Sequence, residues 1–67
     1  MNQKLQAARE KSGKTQAQVA NEADISRRAY CYYEQGKKEP GVRTAIRIAQ
    51  ALGSTVEDIF GAATPGI

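Results

Sequence analysis

Residues 15–36, TQAQVANEADISRRAYCYYEQG, decide the fold. Thr15 is a hydroxyl residue suited to accept a backbone N–H at a helix start, and Gln18 follows at the capping-box spacing. A helix therefore opens after Thr15 and runs through Ala23, with Val19, Ala20 and Ala23 facing inward. Asp24-Ile25-Ser26 is too short for a free loop, because Ser26 is itself the N-cap of a second helix that runs through Gln35. Two helices joined by about three residues must cross steeply. The second has two unlike faces. Tyr30 and Tyr33, joined by Ala29, share one of them at the i, i+3 and i, i+4 spacings; Arg27, Arg28, Cys31 and Tyr32 share the other. One side packs and the other waits.

Outward from this pair, residues 3–12 are polar helix formers with Leu5 and Ala8 on one side, and Gly13 is placed to stop them. Gly36 ends the helix that begins at Ser26. Lys37-Lys38-Glu39-Pro40-Gly41 is then a basic turn whose proline disfavours helix at Glu39. From Val42 to Leu52 the apolar set Val42, Ala45, Ile46, Ile48, Ala49 and Leu52 recurs at helical spacing, and Gly53 caps it. Thr55 with Asp58 opens a short last helix carrying Val56, Ile59 and Phe60. No strand-like alternation and no repeat is present. The pattern predicts an all-α, compact five-helix bundle over residues 1–60, followed by a flexible tail at 61–67.

A chain of 67 residues holds one domain, and a core of that size seldom supplies more than about 3–5 kcal/mol. The single cysteine excludes an internal disulfide, and no Cys/His cluster suits a metal. Cys31 therefore reads as inert. No apolar run approaches the length of a membrane span, and Met1-Asn2-Gln3-Lys4 does not open a signal peptide, so a soluble, cytoplasmic protein is expected. Nine of the ten bases and five of the seven acids fall in residues 1–43, which concentrates the positive charge there. That asymmetry suits a polyanion. Catalysis is not expected: histidine is absent, as are a nucleophile-base-orienter set and a phosphate-binding glycine loop. Nor does the length leave room for a cofactor or small-molecule site.

The order of a basic first helix, a Thr15-Gln16 helix, a three-residue turn, a Ser26-led helix and Glu34-Gln35-Gly36 resembles the phage Cro and repressor (XRE) type of helix-turn-helix. The likeness extends over residues 4–60, including Ile48-Ala49-Gln50-Ala51-Leu52-Gly53 and Val56-Glu57-Asp58-Ile59-Phe60. It implies a lambda-repressor-like DNA-binding domain with the helix from Ser26 in the major groove. There the resemblance maps Arg27, Arg28 and Tyr32 onto base edges and makes Gln16 a phosphate clamp. It also implies an ion pair between Arg9 and Glu34 that fixes the recognition helix on the scaffold. The pattern departs in two places. Asp24 stands where glycine is usual, and Tyr30 and Tyr33 replace smaller aliphatics, so their hydroxyls are expected to reach water, a partner or a neighbouring subunit.

Physical chemistry supports the same assignment independently. A major groove about 12 Å wide admits one helix, and an arginine at its N-terminal end can donate two hydrogen bonds to a guanine. Thr15 and Ser26 are caps that also stand near the backbone, and Lys37, Lys38 and Arg43 are expected to meet the sugar-phosphate chain. Ile46, Val56, Ile59 and Phe60 are the apolar groups that a small core could leave over, so a homodimer through that region is expected on a palindromic operator, acting as a repressor. Two other readings stay open. An antitoxin-like or antirepressor protein-interaction subunit would show weak, sequence-blind DNA affinity, and an RNA binder would stack bases on exposed aromatics, for which Tyr32 is the sole candidate.

Overall fold

The computed structural model describes residues 2–61, and over them the chain forms five helices: α1 (Gln3–Ser12), α2 (Gln16–Glu22), α3 (Arg27–Gln35), α4 (Val42–Ala51) and α5 (Val56–Phe60). Residues 62–67, most of the expected tail, lie outside the described residues. The starts are set by side chains that satisfy otherwise unpaired amides. Thr15 Oγ1 accepts from the Gln18 N–H at 3.1 Å while Gln18 Oε1 accepts from the Thr15 N–H at 2.8 Å, completing the capping box. Ser26 caps α3 and Thr55 caps α5 with a single bond, accepting from the Ala29 and Asp58 N–H groups at 3.1 Å each. Asn2 caps α1, its Oδ1 accepting from the Leu5 N–H at 2.9 Å.

Between α2 and α3 the chain turns at Asp24, which adopts φ 62°. The Ile25 N–H then donates back to the Ala20 carbonyl at 2.9 Å, and the Ile25 side chain packs against the core. Gly36 closes α3 in the left-handed region (φ 76°), allowing the Lys37 N–H to reach the Tyr32 carbonyl at 3.0 Å. α2 packs on α3 and α4, while α1 lies against α3 and α5.

Leu5, Val19, Ala20, Ala23, Tyr30, Ile48, Ala49 and Ile59 form the buried cluster, to which every helix contributes. Two expectations for the apolar residues change here. Ile59 is 1% exposed: it is the residue by which α5 plugs the core, and it has no surface to offer a partner. Val42, by contrast, is 71% exposed and Ile46 42% exposed, because the apolar arc of α4 is wider than the stripe that α2 and α5 can cover. Val56 and Phe60 are half-buried against the cluster. No helix among the described residues is long and apolar enough to cross a membrane.

Candidate nucleic-acid interface

The first turn of α3 carries Arg27 and Arg28, both exposed, and the next turn carries the half-buried Cys31 and Tyr32. These four side chains surround a shallow concavity. Lys38 folds back from the turn after α3 and places its Nζ 5.3 Å from the centre of the Tyr32 ring, a cation–π arrangement. Its ammonium therefore borders the recognition face instead of lying wholly beyond it. Lys37 and Arg43 are exposed. Among the described residues the salt bridges are Arg9 with Glu34 and Lys14 with Glu22, so Arg27, Arg28, Lys37 and Arg43 have no acid within 4.0 Å. Uncompensated cations such as Arg27 and Arg28, with Lys38 beside Tyr32, are what a polyanion requires. Thr15 and Ser26 are occupied as acceptors by their caps, which leaves each hydroxyl hydrogen free to donate.

Behind this face runs a polar chain through three helices. Arg9 Nε on α1 donates to Glu34 Oε2 on α3 at 2.6 Å, and Gln16 Nε2 on α2 donates to Glu34 Oε1 at 3.0 Å. The Cys31 thiol donates to Gln16 Oε1 at 3.3 Å. Arg9 also anchors the loop after α1, its Nη1 donating to the Lys14 carbonyl at 3.1 Å. Burial by itself pushes the Glu34 carboxyl up, but the hydrogen bonds from Arg9 and Gln16 outweigh it and hold the group below the usual carboxylate range. The hydrogen bond to Glu34 raises Arg9 further above its already high value. Gln16, expected to clamp a phosphate, is thus also a structural link between α2 and α3.

Tyr30 departs from expectation. Its ring fills the core, but its hydroxyl is buried beside the Glu34 carboxylate, outside good hydrogen-bond geometry, and does not reach water or a free surface. Burial, with the nearby Glu34, raises its pKa strongly, which keeps the phenol neutral. Tyr33 is half-buried and lines an apolar groove of about 630 Å³ together with Pro40, Val42, Ala45, Val56 and Phe60. Two of the four expected interface residues, Val56 and Phe60, stand on this groove. Ile46 is exposed on α4 outside its lining, and Ile59 touches it only from the core.

Three structural roles were missed from the residues alone. Asn2 is a cap, which its position three residues before Leu5 could have signalled. Lys14 Nζ bonds Glu22 at 2.7 Å and the Ala51 carbonyl at 2.6 Å, tying the α1–α2 loop to the end of α4; no local signal marks a contact 37 residues away. The Cys31 thiol bond to Gln16 likewise depends on how α2 crosses α3.

Comparison with known proteins agrees with this architecture. The helix-turn-helix family model matches residues 5–59. The chain is 35% identical over 60 residues to an HTH-type transcriptional regulator of Methanocaldococcus jannaschii, covering 90% of this chain and 91% of that one. It is 32% identical over 60 residues to an HTH-type transcriptional regulator of Archaeoglobus fulgidus, covering 90% and 86% of the two chains. It is also 34% identical over 61 residues to the cryptic phage CTXphi transcriptional repressor RstR of Vibrio cholerae, covering 91% of this chain but 54% of RstR. No solved structure matches the chain. With the capped α2–turn–α3 unit, the unpaired arginines at the start of α3 and the Arg9–Glu34 brace in place, the chain belongs to the phage Cro and repressor (XRE) type of the helix-turn-helix family, whose members are DNA-binding regulators of transcription and not enzymes.

Proposed function

We propose that the protein is a repressor that binds a palindromic operator as a homodimer, with α3 lying in the major groove. Arg27 and Arg28 read base edges, where each bidentate arginine–guanine pair discriminates by about 1–3 kcal/mol. Tyr32 lies one turn on and meets a base edge, a thymine methyl or a phosphate, with Lys38 over its ring. Gln16, Thr15, Ser26, Lys37, Lys38 and Arg43 hold the flanking phosphates. The protein acts in the cytoplasm, where the DNA is.

The observation that carries this reading is the pair of exposed arginines, Arg27 and Arg28, unpaired among the described residues at the start of α3, while Arg9 and Lys14, the two bases in salt bridges, brace the fold. Exposed Val42 and Ile46, with the groove beside Val56 and Phe60, supply the contact for a second copy. The repressor RstR among the relatives supports repression as the outcome of binding.

The test is selection of bound sequences from a random duplex pool at fixed salt, for wild type and Arg28→Ala in parallel. Recovery of two guanine-containing half-sites in inverted repeat, relaxed at one position by the substitution, is the expected result. A folded protein that enriches no motif would make the protein-interaction subunit the leading account.

A further inference from the structure

Gln16 sits half-buried between α2 and α3 with both ends of its amide engaged. An ionised carboxylate only accepts, so the group 3.0 Å from Glu34 Oε1 has to be the nitrogen of the Gln16 amide and not its oxygen. The carbonyl end consequently turns to Cys31, whose thiol lies 3.3 Å away and donates to it. One N–H of the amide is taken by Glu34, and the other has no protein partner among the described residues. This polarity has a chemical consequence. A backbone phosphate presents acceptors only, so an amide fixed this way offers it an N–H, whereas the flipped amide would offer an oxygen and repel it. One hydrogen bond would let the amide swing about its last torsion; two, at opposite ends, define its plane.

We propose that Cys31 is a positioning residue for DNA binding: with Glu34 it holds the Gln16 amide so that its second N–H, and not its oxygen, is left to face a phosphate of the bound duplex. The inference rests on the DNA-binding reading above and adds a role for Cys31, which needs no contact with DNA to exert it.

The experiment measures binding of the selected duplex across a range of salt concentrations by wild type, Cys31→Val, Cys31→Ala, Cys31→Ser, Gln16→Met and the Cys31→Val/Gln16→Met double variant, with thermal melting of each. Loss of the thiol donor in Cys31→Val and Cys31→Ala weakens binding about two- to tenfold, the worth of one neutral hydrogen bond. The salt dependence of binding stays that of wild type, because a neutral amide displaces no counterion. Cys31→Ser, which keeps a donor at the site, restores binding, and in the Gln16→Met background Cys31→Val has no further effect. An equal loss in Cys31→Ser and Cys31→Ala overturns the proposal, as does a Cys31→Val loss that persists without Gln16; in both cases the DNA-binding reading stands. A wild type that binds no duplex overturns that reading and the proposal together. Cys31→Ala, which has no branched side chain to accommodate, keeps the test valid if Cys31→Val melts below the assay temperature.

Discussion

Two residues carry local conflicts that the fold tolerates. The Tyr30 hydroxyl is enclosed beside Glu34 but outside good hydrogen-bond geometry, and an unsatisfied buried polar group costs about 1–3 kcal/mol. Tyr30→Phe keeps the ring and removes that penalty, so its urea midpoint should rise by an amount corresponding to about 1 kcal/mol, with an unchanged denaturant slope. A fall would show that the hydroxyl is bonded after all. Asp24 holds φ 62°, a left-handed conformation that side chains other than glycine, asparagine and aspartate resist. Asp24→Ala should lose about 1 kcal/mol, whereas Asp24→Gly should match or exceed the wild type in thermal melting. The reverse order would mean that the aspartate side chain, and not the backbone angle, matters at the turn.

At the scale of elements, the position of α3 depends on one carboxylate. Glu34 receives Arg9 from α1 and Gln16 from α2, and its own carbonyl accepts from the Asn2 N–H at 2.9 Å. Its side chain is 7% exposed and that of Arg9 is 16% exposed, so removing either partner strands the other in a poorly hydrated place. Glu34→Ala should therefore cost about 3–5 kcal/mol, which is comparable with everything a core of this size provides, and leave the chain largely unfolded by circular dichroism. The same carboxylate sets an acid limit. Its folded pKa lies below the usual glutamate value, so its stabilisation is fully present above that usual value, about 4.3, and is lost as pH falls through the lower folded value. Stability should thus rise with pH across this window. Urea midpoints measured between about pH 2 and pH 6 should show this slope for wild type and a flatter one for Glu34→Gln.

For the whole molecule, the proposed operator reading needs more base pairs than one copy of α3 covers. One recognition helix spans only a few base pairs; two, about 34 Å apart on a two-fold axis, read a palindrome. The apolar surface that the fold leaves uncovered lies on the first turns of α4 and in the groove beside α5. For the proposed dimer, Val42→Gln combined with Ile46→Gln should keep the melting behaviour, since both residues are exposed, yet shift sedimentation from dimer to monomer and weaken operator binding more than half-site binding. A double variant that remains dimeric would move the interface elsewhere.

The residues by themselves determined the five helices and the turn between α2 and α3, because caps, glycine stops and apolar spacing act between neighbours along the chain. They also marked Arg27 and Arg28 as the charged start of the exposed helix, and the resemblance supplied the Arg9–Glu34 brace. Which apolar residue ends inside was not legible in the same way: Ile59 and Val42 look alike as members of helical stripes, but the first is sealed in the core and the second stands in solvent. Only the crossing of short helices decides which part of a stripe is covered. The same holds for Lys14 on the Ala51 carbonyl, for the enclosed Tyr30 hydroxyl, and for the thiol of Cys31 against Gln16. These contacts join groups whose chemistry exists only once tertiary packing has brought donor and acceptor, or hydroxyl and carboxylate, to the same place.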